Sequence, residues 1–172
     1  CRARAGGGDR TLARARHGLY SRPYHRGGKT PIGRCADVDR FAGAAAIDAP
    51  GVRAVVNPGG TNERFARAHL ERASLRVHGD NETVFEEIRT GRADVMFTDA
   101  IEVAVMTRRH RDLCALLPGT VLEPVEKAYL MPRDPAWQAY VDLWLESLAR
   151  DPAWPREALD RHVEDAARRA AP

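Results

Sequence analysis

Between Val52 and Arg109 the chain alternates three times between a short apolar segment and a longer one with helical spacing. Parallel strands cannot be joined by a tight turn, and a helix is the usual return connection. Strand–helix alternation therefore commits this stretch to a parallel sheet covered by helices. Val52-Arg53-Ala54-Val55-Val56 is short and β-branched, and reads as the first, buried strand. Asn57-Pro58-Gly59-Gly60-Thr61-Asn62 must turn, because Pro and two Gly oppose regular structure. Phe65, Ala66, His69 and Leu70 then recur at helical spacing, predicting a helix over 62–72. Leu75 to Val77 is the second strand, and Asp80 or Asn81 is placed to cap the helix after it. Val84, Phe85 and Ile88 give that helix its apolar face, and Gly91 ends it. Ala93 to Thr98 is the third strand and Asp99 to Arg109 the third helix.

The flanks are less regular. Leu19 to Ile32 is broken by Pro23, Gly27, Gly28 and Pro31, predicting extended pieces and a turn. Residues 37–50 read as a short helix and linker, with Phe41 and Ile47 facing inward. Leu113 to Leu117 and Ala128 to Met131 are candidate further strands. A helix over 134–150 carries Trp137, Tyr140, Val141, Trp144, Leu145 and Leu148 on one stripe, and a second starts near Pro155. Residues 1–18, rich in Arg and Gly without apolar periodicity, read as disordered. The organisation expected is an end of a first lobe with hinge over 19–50, a second lobe over 51–120, and a return to the first lobe over 121–172.

Composition closes off several classes. With 44% hydrophobic and 30% charged residues in 172, a packed core is expected and wholesale disorder is not. A net charge of +3 gives no argument for nucleic acid. No apolar run approaches the roughly 20 residues that span a bilayer, so no membrane insertion is expected. No signal-peptide pattern stands near the start, and the first residue is Cys rather than Met. The expectation is a protein that stays inside, or an incomplete or processed product. Cys1, Cys35 and Cys114 form no Cys-x-x-Cys pair, so zinc and thioredoxin-type readings are weak. Two readings of them stay open: buried free thiols, or a Cys35–Cys114 disulfide in an exported protein.

Two places carry candidate chemistry. In open α/β folds ligands bind beyond the carboxyl ends of the strands, where the 57–62 turn sits. Its N–H groups and the following helix start suit a carboxylate or phosphate. Gly59 and Gly60 admit a ligand close to the backbone, and Thr61 and Asn62 add side-chain donors. A plain tight turn with a helix cap reads equally well. Thr98-Asp99-Ala100-Ile101-Glu102 is the second place. Asp99 as a cap and Glu102 as its capping-box partner is the structural reading. The functional reading puts one or both acids at the mouth of the same crevice. A carboxyl beside a bound anion holds its proton more tightly and can donate it near neutral pH. Gly27-Gly28-Lys29-Thr30 looks like the end of a P-loop, but Pro23 stands where the motif needs its first Gly. No dinucleotide turn or His-Glu-x-x-His motif occurs, His110 and His162 read as surface residues, and no metal site is expected.

Several runs together resemble a known family: Tyr20-Ser21-Arg22-Pro23-Tyr24, Gly28-Lys29-Thr30-Pro31-Ile32, Asn57 through Arg67, Asp80-Asn81, Gly91 through Met96, Thr98 through Glu102, and Glu126 through Asp134. From about Leu19 to Arg150 the chain resembles the cyclohexadienyl dehydratases, built on the fold of amino-acid-type solute-binding proteins. The resemblance implies an α/β, type II periplasmic-binding-protein-like fold, here one complete lobe and part of the other. It implies conversion of prephenate to phenylpyruvate, or of arogenate to phenylalanine, with loss of water and carbon dioxide and without metal or cofactor. By position Glu102 matches the family's proton donor, and Asn57, Gly60, Thr61 and Asn62 lie in its binding crevice. In plain amino-acid binders of this fold an acid at or near Asp99 holds the ligand's ammonium. Lys127 is a candidate carboxylate partner, with a solvated surface lysine as the other reading. Periplasmic location follows by resemblance, and self-association is left open. The family carries a signal peptide and most of a first lobe ahead of the matched stretch, and the region past Asp151 fits poorly. A shortened chain lacking half the crevice is therefore expected. A transporter's amino-acid-binding protein, or an inactive fragment, are the other readings.

Overall fold

The computed structural model describes residues 18–151 and, beyond them, Ala153, Glu157, Ala158, Asp160, Arg161, Glu164 and Asp165. The Arg/Gly-rich start and most of the segment expected as a second C-terminal helix lie outside the described residues. The chain divides into two compact units, one formed by residues 27–125 and the other by segments on either side of it.

In the first of these, β3 (Arg53–Val56), β4 (Ser74–Val77) and β5 (Val95–Asp99) form the expected parallel core. Helices α2 (Thr61–His69) and α3 (Val84–Arg89) make the crossovers, and α4 (Ala100–Arg109) follows β5. The sheet is mixed rather than all-parallel. The ten-residue β2 (His25–Arg34) lies antiparallel to β5, and β6 (Leu113–Ala115) antiparallel to β2, giving the order β4-β3-β5-β2-β6. β7 (Leu122–Lys127) also pairs with β2. The turn expected within 19–32 is replaced by this strand, which runs through Gly28 and Pro31. Gly28 is needed there: a Cβ would sit 2.6 Å from Val121 and 2.7 Å from the carbonyl oxygens of Leu122 and Glu123.

Both faces of the sheet are covered, so adjacent residues of a strand enter different cores. Val55 and Met96 join Ile32, Val84, Phe85, Ile88, Val103 and Met106 on one side. Ala54, Val95 and Phe97 join Phe41, Ile47, Phe65 and Leu116 on the other. Residues 27–50, expected with the first lobe and hinge, pack in this unit because Phe41 and Ile47, both 0% exposed, anchor α1 (Ala44–Ile47) to the second core. Two local expectations fail. Helix α2 stops at His69, where Leu70 turns extended, and Asp48 accepts the N–H groups of Glu71, Arg72 and Ala73 at 2.8–3.0 Å. Asp80 does not cap α3; it accepts from Glu82 N at 2.8 Å and Thr83 Oγ1 at 3.0 Å in the turn ahead.

Cys35 and Cys114 are joined, which sets aside the free-thiol reading for this pair. The link crosses β6 and the residue just past β2, where Gly33 lies opposite Cys114. The other unit holds β1 (Leu19–Tyr20) antiparallel to β8 (Leu130–Met131), and α5 (Pro135–Ala149). Asp134 caps α5 by accepting from Ala136 N and Trp137 N. Of the long stripe on α5, only Val141 and Leu145 are buried, against Met131; Trp137, Tyr140 and Trp144 are exposed.

Candidate functional site

β3 and β5 run parallel, so their carboxyl ends open on the same side, and each leads into a helix. Asn57 follows β3 directly, Gly60 is the N-cap of α2, and Thr61 and Asn62 are its first residues. β5 ends with Thr98 and Asp99, and Glu102 lies in the first turn of α4. β2 places Lys29 opposite Asp99 in the antiparallel register. Topology alone thus collects side chains from five elements at one end of the interior strands.

Lys29 is the hub, and it is only 4% exposed. Its ammonium donates to Thr61 Oγ1 at 2.8 Å, to Asp99 Oδ1 at 2.7 Å and to Asn62 Oδ1. Three acceptors match the three protons of an ammonium, so a buried charge is both paired and fully hydrogen-bonded. The lysine fixes Asn62 as well. An ammonium only donates, so the amide oxygen must face it. The Asn62 NH2 group then donates to Asn57 Oδ1 at 3.0 Å and to Thr98 Oγ1 at 3.2 Å. Thr98, 0% exposed, donates its own hydroxyl hydrogen bond to Glu102 Oε2.

Five of the seven side chains or backbone positions singled out from the sequence are joined by this network: Asn57, Thr61, Asn62, Asp99 and Glu102. Gly60 stands at the edge of it as the helix cap. Lys127, the last residue of β7, belongs to the other unit, where its carbonyl accepts from Tyr24 N at 2.9 Å. The capping-box reading of the two acids is not realised. Asp99 occupies the N-cap position of α4, yet its side chain makes no cap bond and turns to Lys29; Glu102 turns to Thr98. At the other helix start, Glu63 folds back to accept Gly59 N–H at 2.6 Å, which together with Arg67 holds its carboxyl below the ordinary range. One N–H of the turn expected to receive an anion is therefore already taken by the chain's own carboxylate.

Lys29 was absent from the sequence-derived site, although it stood in the P-loop lookalike and in one of the runs that carry the family resemblance. Its one signal was a lysine between glycine and a run of small or apolar residues. That signal acquires meaning only once the segment is known to be an interior strand beside Asp99. Among the described residues no cluster of three or more His, Cys, Asp or Glu is arranged to hold a metal.

No family model matches the chain. It is 48% identical over 153 residues to a cyclohexadienyl dehydratase of Pseudomonas aeruginosa, covering 89% of this chain and 57% of that protein. The chain thus spans little more than half the length of this curated relative. A crystal structure of an ancestral cyclohexadienyl dehydratase aligns with a TM-score of 0.53 and 36% identity, over 88% of this chain and 63% of the other. An amino acid ABC transporter substrate-binding protein of Streptococcus pneumoniae, bound to L-arginine, aligns with a TM-score of 0.68 and 20% identity, over 91% and 63%. At that identity the likeness bears on fold, and the fold is that of the type II periplasmic amino-acid-binding proteins.

Proposed function

We propose that this chain, which resembles cyclohexadienyl dehydratase and has the solute-binding-protein fold, is a carbon–oxygen lyase acting on prephenate or arogenate. The observation that carries the reading is the unbroken line from Lys29 through Asn62 and Thr98 to Glu102. It gives a carboxyl held in place beside groups suited to a small oxygen-rich ligand. Asn57 accepts through its oxygen and so presents its NH2 group as a donor, and the Thr61 hydroxyl and the helix start at Gly60 lie beside it. In the proposed reaction Glu102 gives its proton to the departing hydroxyl, and the C–O bond breaks to release water. The ring carboxylate leaves as carbon dioxide, and its bonding pair completes the aromatic ring. Glu102, now a carboxylate, is reprotonated from solvent.

The test is phenylpyruvate formation from prephenate by the purified chain and by Glu102→Gln. Loss of a general acid costs roughly 100- to 10,000-fold in rate. A Glu102→Gln variant that keeps the parent rate removes Glu102 as the donor. No turnover by the parent chain refutes the lyase reading for this chain. In that event calorimetry with amino acids decides for the second reading, an amino-acid-binding protein, which the Asp99 carboxylate at the sheet edge favours. Against it, Asp99 already pairs with an internal ammonium, which a ligand's ammonium must displace or share. We further propose a periplasmic location. The support is the Cys35–Cys114 link, since disulfides persist in oxidising compartments.

A further inference from the structure

The direction of each hydrogen bond in the network can be read off, and it has a consequence for Glu102. Lys29 can only donate, so Asn62 must accept through Oδ1 and donate through Nδ2. Thr98 Oγ1 accepts that bond, and its single proton is directed to Glu102 Oε2. Each bond of the line Lys29–Asn62–Thr98–Glu102 therefore points toward the carboxyl, with Oε2 as the acceptor. With Oε2 accepting from Thr98, the proton of a protonated Glu102 sits on Oε1.

Resting on the lyase reading, we infer that Thr98 is a positioning residue for proton delivery: its hydroxyl anchors Glu102 by Oε2 and reserves Oε1–H for the departing hydroxyl. As the O–H bond of Oε1 breaks and water leaves, negative charge develops over both carboxylate oxygens. The Thr98 hydrogen bond then changes from one to a neutral acceptor into one to an anion, which is the stronger kind. An interaction that strengthens only as the proton departs acts on kcat and leaves substrate binding nearly untouched. Thr98 is suited to this because it is 0% exposed, so no water competes for Oε2 from its side. It also sits one residue before Asp99, so the same strand places the anchor and the partner of Lys29.

The variants are Thr98→Val, which keeps the shape and removes the hydroxyl, and Thr98→Ser, which keeps the hydroxyl and removes the methyl. On prephenate, Thr98→Val is expected to lower kcat by roughly 10- to 100-fold with KM changed less than about 3-fold, from lost orientation and lost charge stabilisation. Thr98→Ser is expected to stay within about 3-fold of the parent. Parent-like kcat in Thr98→Val overturns the inference, as does a Thr98→Ser as slow as Thr98→Val, which assigns the effect to methyl packing. A second measurement does not need turnover. Unfolding equilibria of Thr98→Val, Glu102→Ala and the double variant are expected to be non-multiplicative by about 3-fold or more, as for residues in direct contact. An inactive parent with this coupling present refutes the lyase reading while keeping the anchor; multiplicative effects refute the anchor itself.

Discussion

Replacing Lys29 by Met tests whether the candidate site is also a structural keystone. Met keeps most of the side-chain volume, so the loss is electrostatic and carries little cavity cost. At 2.7 Å, the Lys29–Asp99 attraction is about 6 kcal/mol with an effective dielectric of about 20. Desolvation of an ammonium that is 4% exposed offsets much of that. What the variant leaves behind is a carboxylate without its ammonium and two amide or hydroxyl oxygens without a donor. Breaking a buried pair from one side costs about 3–5 kcal/mol, and Asp99, with 27% of its side chain exposed, recovers part of this from water. The expected loss is about 3 kcal/mol, or about 1.5 M in the urea midpoint for a slope near 2 kcal/mol per molar. Urea unfolding followed by circular dichroism measures it. Adding Asp99→Asn to Lys29→Met removes the stranded charge and is expected to return about half of the loss. A Lys29→Met variant as stable as the parent, or a double variant no better than the single, refutes the account of Lys29 as the hub.

Two further outcomes follow from features outside the site. The Cys35–Cys114 link spans 79 residues, so its reduction, or Cys35→Ser with Cys114→Ser, is expected to cost about 4 kcal/mol by the loop-entropy relation; urea unfolding with and without reductant reads this, and coincident curves refute it. Burial pushes the Asp94 carboxyl up, but bonds from Arg53 and Arg34 outweigh it and hold the group at about 2, against 3.8. The folded-state value is the lower one, so the stabilisation of about 2 kcal/mol is complete above about pH 4 and is lost as the pH falls toward 2. Asp94→Asn is expected to be less stable than the parent at neutral pH and equal to it near pH 2; parallel stability–pH curves refute this.

The strand–turn–helix alternation, the positions of the central strands and most of the side chains gathered at the strand ends were legible in the sequence. The reason is that they rest on local rules: β-branched runs, a Pro-Gly-Gly interruption and the helical spacing of Phe65 and Ala66. Position in a parallel α/β unit then places Asn57 and Asp99 at neighbouring strand ends without further information. What failed locally was side-chain choice between near-equal partners. Asp99, Glu102 and Asp80 all had helix N–H groups within reach. Asp99 turned instead to Lys29, brought from β2 by the sheet, and Glu102 to Thr98, four positions before it.

The antiparallel insertion of β2 is the clearest case of a tertiary decision. Gly27, Gly28 and Pro31 each weaken a strand in isolation, yet the segment runs as ten residues of strand. It does so because β5, β6 and β7 supply its hydrogen bonds and Gly28 lets β7 approach. That same pairing sets Lys29 against Asp99, 70 positions away. The cysteine pairing is likewise a product of the β2–β6 register. By itself the sequence determined the alternation of strands and helices from Val52 to Arg109, with the 57–62 turn, and which chemistry the strand ends offer. Only the tertiary structure decided which charge meets which, because that depends on strand order and direction, and neither is encoded in a local pattern.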